Sequence, residues 1–153
     1  MDQREAQAVW QRVRATGGLT AEEAVLPERL EALILEQQTN AALLRRLSRR
    51  LPGGQSAVLS RTAARAETQT RELNTLHYLL TGRALRLKTP PIAGNEPPRE
   101  ALRDACLRLR RAAQAFESLR EEFSDYAEDF GRFAAEARTG SRRLQQLLGT
   151  LPL

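Results

Sequence analysis

The chemistry open to this chain is limited first by what it has little of. It carries one cysteine, Cys106, and one histidine, His77. A single cysteine cannot close an internal disulfide, and a single imidazole cannot supply the ligands of a zinc finger. Cys106 also has no histidine close in sequence to act as its base, and most catalytic triads need an imidazole as well. Aromatic residues make up only 5% of the 153 positions, too few for a typical sandwich or barrel. No apolar run approaches the ~20 residues of a membrane span, and MDQREAQAVW lacks the basic-then-apolar order of a signal peptide. With 41% hydrophobic and 28% charged residues the chain is too apolar for a disordered tail. The expectation is one soluble, cytoplasmic helical domain over 1–153, without a membrane partner.

Charge is plentiful but mixed. The net charge is +5, yet 24 basic residues face 19 acidic ones, and every basic residue except Lys88 is arginine. No basic run is interleaved with stacking aromatics, as single-strand binders require, so nucleic acid is a disfavoured partner.

Breakers at Gly17-Gly18, Pro52-Gly53-Gly54, Gly82 and Pro90 to Pro98 divide the chain into periodic segments. A short helix is predicted over 2–15, where Ala6, Val9, Trp10 and Val13 form one stripe. A second over 27–51 begins at Pro27 and carries Leu30, Ile34, Ala41, Leu44, Leu47 and Leu51. A third over 56–82 carries Leu59, Ala63, Ala66, Leu73, Leu76, Leu79 and Leu80 toward Gly82, placed as a C-terminal glycine. The proline-rich stretch withholds backbone donors and is read as a crossover over 88–98, long enough when extended to traverse a bundle. A helix over 99–120 follows, with Cys106 on its inward stripe. The last, over 125–149, is signalled by a capping box of Asp125 and Glu128. One continuous helix over the last two segments is the competing reading. Two hairpins joined by one long crossover form the ferritin-like version of an all-α four-helix bundle.

Four segments carry a family resemblance: AVWQRV (Ala8 to Val13), LEALILEQQTNAALLRRL (Leu30 to Leu47), ETQTRELNTLHYLLTG (Glu67 to Gly82) and FAAEARTGSRRLQQLL (Phe133 to Leu148). Together they resemble ferritin-like, rubrerythrin-related proteins of clostridial type, a bacterial group in which a short Trp-containing helix precedes the bundle. In members with an active site, glutamates on two helices and Glu-x-x-His units on the other two hold a pair of metals. Residues i and i+3 share a helix face, which lets a carboxylate and an imidazole reach one ion. The resemblance implies Glu36, Glu67 and Glu136 as the residual ligand positions, converging at the bundle centre. Thr70 and Thr139 then stand where histidines would be, and Leu109 replaces the remaining glutamate, seven residues before Phe116. This ligand set is degenerate, and no cofactor is expected. Inward carboxylates without a metal need cationic partners; Arg108 and Arg110 flank Leu109, and Arg65 and Arg138 lie near Glu67 and Glu136.

Three functions follow as expectations. The first is a non-catalytic ferritin-like bundle, degenerate at its metal site, that acts through a protein partner or self-association. The second is an iron- or manganese-binding redox protein with an unorthodox site. The third is a basic binding module for nucleic acid or an acidic protein. A basic pole is expected from Arg45, Arg46, Arg49 and Arg50 together with Arg138, Arg142 and Arg143. His77 is read as a structural histidine.

Overall fold

The computed structural model describes residues 3–4, 23–92 and 94–151. The expected helix over 2–15, with Trp10, lies outside the described residues apart from positions 3 and 4, and Gly17-Gly18 lies outside them too. After a short 3-10 turn, Glu23–Val25, the chain forms four helices: α1 (Leu26–Ser48), α2 (Gly53–Thr81), α3 (Pro98–Glu122) and α4 (Ala127–Thr150).

Proline and glycine set most of these limits. Pro27 lies in the first turn of α1 and Pro98 opens α3, where a missing N–H costs nothing. α1 stops at Ser48, short of the expected 51, because the Arg49 and Arg50 amides turn back to the Arg46 and Leu47 carbonyls. Gly53, at φ +46°, then starts α2 three residues earlier than periodicity suggested. At the other end Gly82 adopts the left-handed conformation, φ +71°, and its amide donates to the Tyr78 carbonyl at 2.7 Å. Irregular backbone begins there, so the crossover covers 82–97 rather than 88–98.

The last two helices are separate, divided by a 3-10 turn, Ser124–Tyr126. The capping box does not form. The residue preceding α4 is Tyr126, no side chain caps the helix start, and Asp125 lies inside the 3-10 turn. Three aromatic contacts organise this elbow instead: Phe116–Phe133 at 5.4 Å between ring centroids, Tyr126–Phe130 at 6.0 Å and Phe130–Phe133 at 6.5 Å. Such pairs contribute about 0.5–1.5 kcal/mol each beyond their buried area.

Side-chain contacts fix the topology. Gln38 donates to the Leu87 carbonyl and Thr89 hydroxyl, Arg46 to the Ile92 carbonyl and Arg50 to the Glu96 carbonyl. The crossover therefore runs alongside α1 in its own direction. It delivers α3 antiparallel to α1, as the pairs Asn40–Ala105, Glu36–Arg108 and Arg29–Glu122 show. Cys106–Ser141 and Glu117–Arg138 set α4 antiparallel to α3. The order is up, down, down, up.

The core is divided. One apolar cluster gathers around Leu30, Leu73, Phe116 and Phe130, and a second around Leu44, Leu59, Leu102 and Leu144. Each such side chain contributes about 1.5–3 kcal/mol by leaving water, an upper figure because unfolded chains are already partly collapsed. Between the clusters lie buried polar residues: Gln37, Asn40, Thr62, Gln69 and Ser141.

Candidate functional site at the bundle centre

This polar layer follows from helical spacing. On α1, Leu30, Ile34, Gln37, Ala41 and Leu44 recur on one stripe, so Gln37 faces inward at 1% exposure. On α2 the stripe Ala66, Gln69, Leu73 does the same for Gln69, also 1% exposed. Nε2 of Gln37 donates to Oε1 of Gln69 at 2.6 Å. Nε2 of Gln69 donates in turn to the Phe133 carbonyl at 3.2 Å and to Oε2 of Glu136 at 2.9 Å. One amide thus joins α1, α2 and α4.

Toward the second cluster, Asn40 donates to the Ala105 carbonyl, and Oγ of Ser141 donates to the Cys106 carbonyl at 3.3 Å. The Cys106 thiol is buried and donates to the Ser141 carbonyl at 3.3 Å. His77 is buried as well, with Nε2 3.2 Å from Oε1 of Glu31.

The three carboxylates implied as residual ligands do not converge, and this corrects the expectation. Glu36 is exposed at the seam of α1 and α3, where Arg108 reaches it at 2.7 Å. Glu67 pairs with Arg45 at 2.6 Å across α1 and α2. Only Glu136 touches the polar layer, and it also accepts from Arg132 at 3.4 Å. The physical reason is register: Glu36 and Glu67 sit beside the apolar stripes of their helices, not on them. Thr70 and Thr139 spend their hydroxyl protons on their own helices, at the Ala66 and Ala135 carbonyls, and Leu109 is buried. Of the arginines proposed as partners, Arg108 does neutralise Glu36. Arg45 takes the place expected for Arg65, and Arg132 the place expected for Arg138, which pairs with Glu117.

Arg132 is the strongest charge centre at the site. It holds Glu72 at 2.6 Å and Asp129 at 3.4 Å in addition to Glu136, and its guanidinium lies 4.7 Å from the Phe133 ring centroid. The hydrogen bond with Glu72 raises its pKa above the ordinary arginine value, against the opposing effect of burial. Burial pushes the Glu72 carboxyl upward, but opposing hydrogen bonds and positive charge, the hydrogen bond from Arg132 foremost, outweigh it, so the carboxyl titrates below its ordinary value. At Arg108, burial lowers the guanidinium while Asp104 and Glu36 raise it, and the carboxylates prevail.

A cavity of about 230 Å³ opens from this layer to the surface between α2 and α4. Its inner wall includes Gln37, Gln69, Leu109 and Glu136, and its mouth includes the exposed Arg65 and Arg143.

The expected basic pole is also divided. Arg45 is bound to Glu67, Arg46 and Arg50 hold the crossover carbonyls, and Arg138 lies mid-helix on Glu117. Arg49, Arg142 and Arg143 have neither an ion pair nor a side-chain hydrogen bond among the described residues.

The donor set does not fit a paired-metal centre. Among the described residues no group of three or more His, Cys, Asp or Glu side chains is placed to hold a metal ion. The layer offers amides, hydroxyls and one carboxylate already bound to an arginine, where a pair of metals asks for about six anionic or imidazole ligands. No helix among the described residues is long and apolar enough to cross a membrane. Compared with protein-family models, with curated proteins and with solved structures, the chain matches none of them.

Proposed function

We propose that this chain is a ferritin-like bundle, related to the rubrerythrin group, that works without a paired-metal centre as a non-catalytic binding scaffold. The up, down, down, up order with one bundle-length crossover supports the ferritin-like reading. The observation that carries the non-catalytic reading is the fate of the carboxylates: Glu36, Glu67 and Glu136 each face a different arginine, and the centre they would share is spanned by the Gln37–Gln69 amide pair. Glu36 and Glu67, each held within 2.7 Å by a guanidinium, are poor metal ligands, because the cation must first displace that arginine. Contact with a partner is assigned to the pole where α1 and α4 end, where Arg49 and Arg142 present uncompensated charge suited to an acidic surface. Elemental analysis after expression in iron- and manganese-supplemented medium tests this reading. It predicts well under one metal per chain, whereas a stoichiometric pair of metals overturns it.

A further inference from the structure

We propose that the cavity between α2 and α4 is a binding site for a small zwitterion, its ammonium end inward at Gln37 and Glu136 and its carboxylate end outward at Arg65 and Arg143. The inner wall presents acceptor oxygens to the cavity. Gln37 is almost wholly buried and uses Nε2 on Gln69, but no described residue donates to its Oε1. Glu136 receives one short hydrogen bond, from Gln69, and a longer one at 3.4 Å from Arg132, which it shares with two other carboxylates. The hydroxyl of Thr62, on the same wall, has committed its proton to the Val58 carbonyl and offers only lone pairs. Acceptor oxygens that face the cavity from Gln37, Thr62 and Glu136 make this wall complementary to an N–H-rich group.

The mouth has the opposite character. Arg65 and Arg143 line it, and neither has an ion pair among the described residues. A guanidinium pair at a cavity mouth is suited to a carboxylate. An anion alone meets acceptors and Glu136 at the inner end, and a cation alone must pass two guanidiniums, so only a ligand carrying both charges satisfies both ends. The cavity, about 230 Å³, lies below the volume usual for drug-sized ligands and suits a molecule of amino-acid size. Occupancy of this site is independent of whether the bundle belongs to a metal-binding lineage.

The test is thermal unfolding and calorimetric titration of the full chain at fixed ionic strength with two zwitterions of different charge separation, γ-aminobutyrate and L-norvaline, against n-butylamine and butyrate. At about 20 mM, at least one zwitterion should raise the midpoint by ~2 °C or more, while the amine and the acid leave it unchanged. Arg65→Gln with Arg143→Gln, both exposed positions, should weaken that zwitterion about tenfold without moving the unliganded midpoint. The proposal is overturned if neither zwitterion shifts the midpoint, if butyrate shifts it as much, or if the shift survives in the double variant.

Discussion

Gln37 and Gln69 meet inside the bundle at 2.6 Å, and this single amide contact spans the layer that separates the two apolar clusters. Each is the other's buried partner, so their contributions must be coupled. Gln37→Leu leaves Oε1 of Gln69 without a donor and should cost about 1–3 kcal/mol. Gln37→Leu combined with Gln69→Leu should cost at least ~1 kcal/mol less than the sum of the single changes, because each single change strands a polar group that the double change removes. Urea unfolding of the four proteins measures this, and strict additivity would contradict the assigned contact.

Stability should fall in acid partly through Glu72. Its folded-state pKa lies below the ordinary value of 4.5, so its contribution is fully present above 4.5 and is lost as pH drops through the lowered folded value. Glu72→Gln should therefore show a shallower loss of stability than the wild type below 4.5, with Asp129 and Glu136 still held by Arg132. Chemical denaturation across that pH range decides it, and parallel curves would mean that the Glu72 pKa is not depressed in the folded protein.

The basic pole yields a separate expectation. Arg49→Glu with Arg142→Glu should abolish any low-salt association of the protein, since both arginines lack ion pairs among the described residues. Sedimentation that is unchanged by the reversal would remove the pole as a contact surface.

The helical class was legible because its punctuation is chemical. Pro52-Gly53 and Gly82 act at the backbone level, where proline lacks a donor and glycine accepts positive φ, and the structure uses them in that way. The site was legible in a different place from where the resemblance put it. Gln37 lies on the stripe of Leu30, Ile34, Ala41 and Leu44, and Gln69 lies three residues after Ala66 and four before Leu73, so periodicity alone marks both as inward. Placing Glu36 and Glu67 at the centre followed a ligand pattern instead of that periodicity. The partner of Glu67 was not legible, because Arg45 reaches it from another helix by a choice of rotamer that spacing does not encode, whereas Arg132 and Glu136 are an i,i+4 pair that spacing offers. Nor was the start of α4, where buried Tyr126 and Phe130 replace a polar cap.

The centre of this bundle is an amide layer flanked by carboxylates that arginines hold. Pairs as exposed as Glu36–Arg108 and Glu67–Arg45 are worth about 0–1 kcal/mol, so Glu36→Gln and Glu67→Gln should leave both stability and metal behaviour nearly unchanged. The most direct measurement is an electron paramagnetic resonance titration of the metal-free protein with manganese(II), which reads the free aqueous ion. The predicted result is a free-ion signal that grows in proportion from the first addition. Suppression of that signal until about two equivalents per chain have been added, the stoichiometry of a paired-metal centre, would contradict the account.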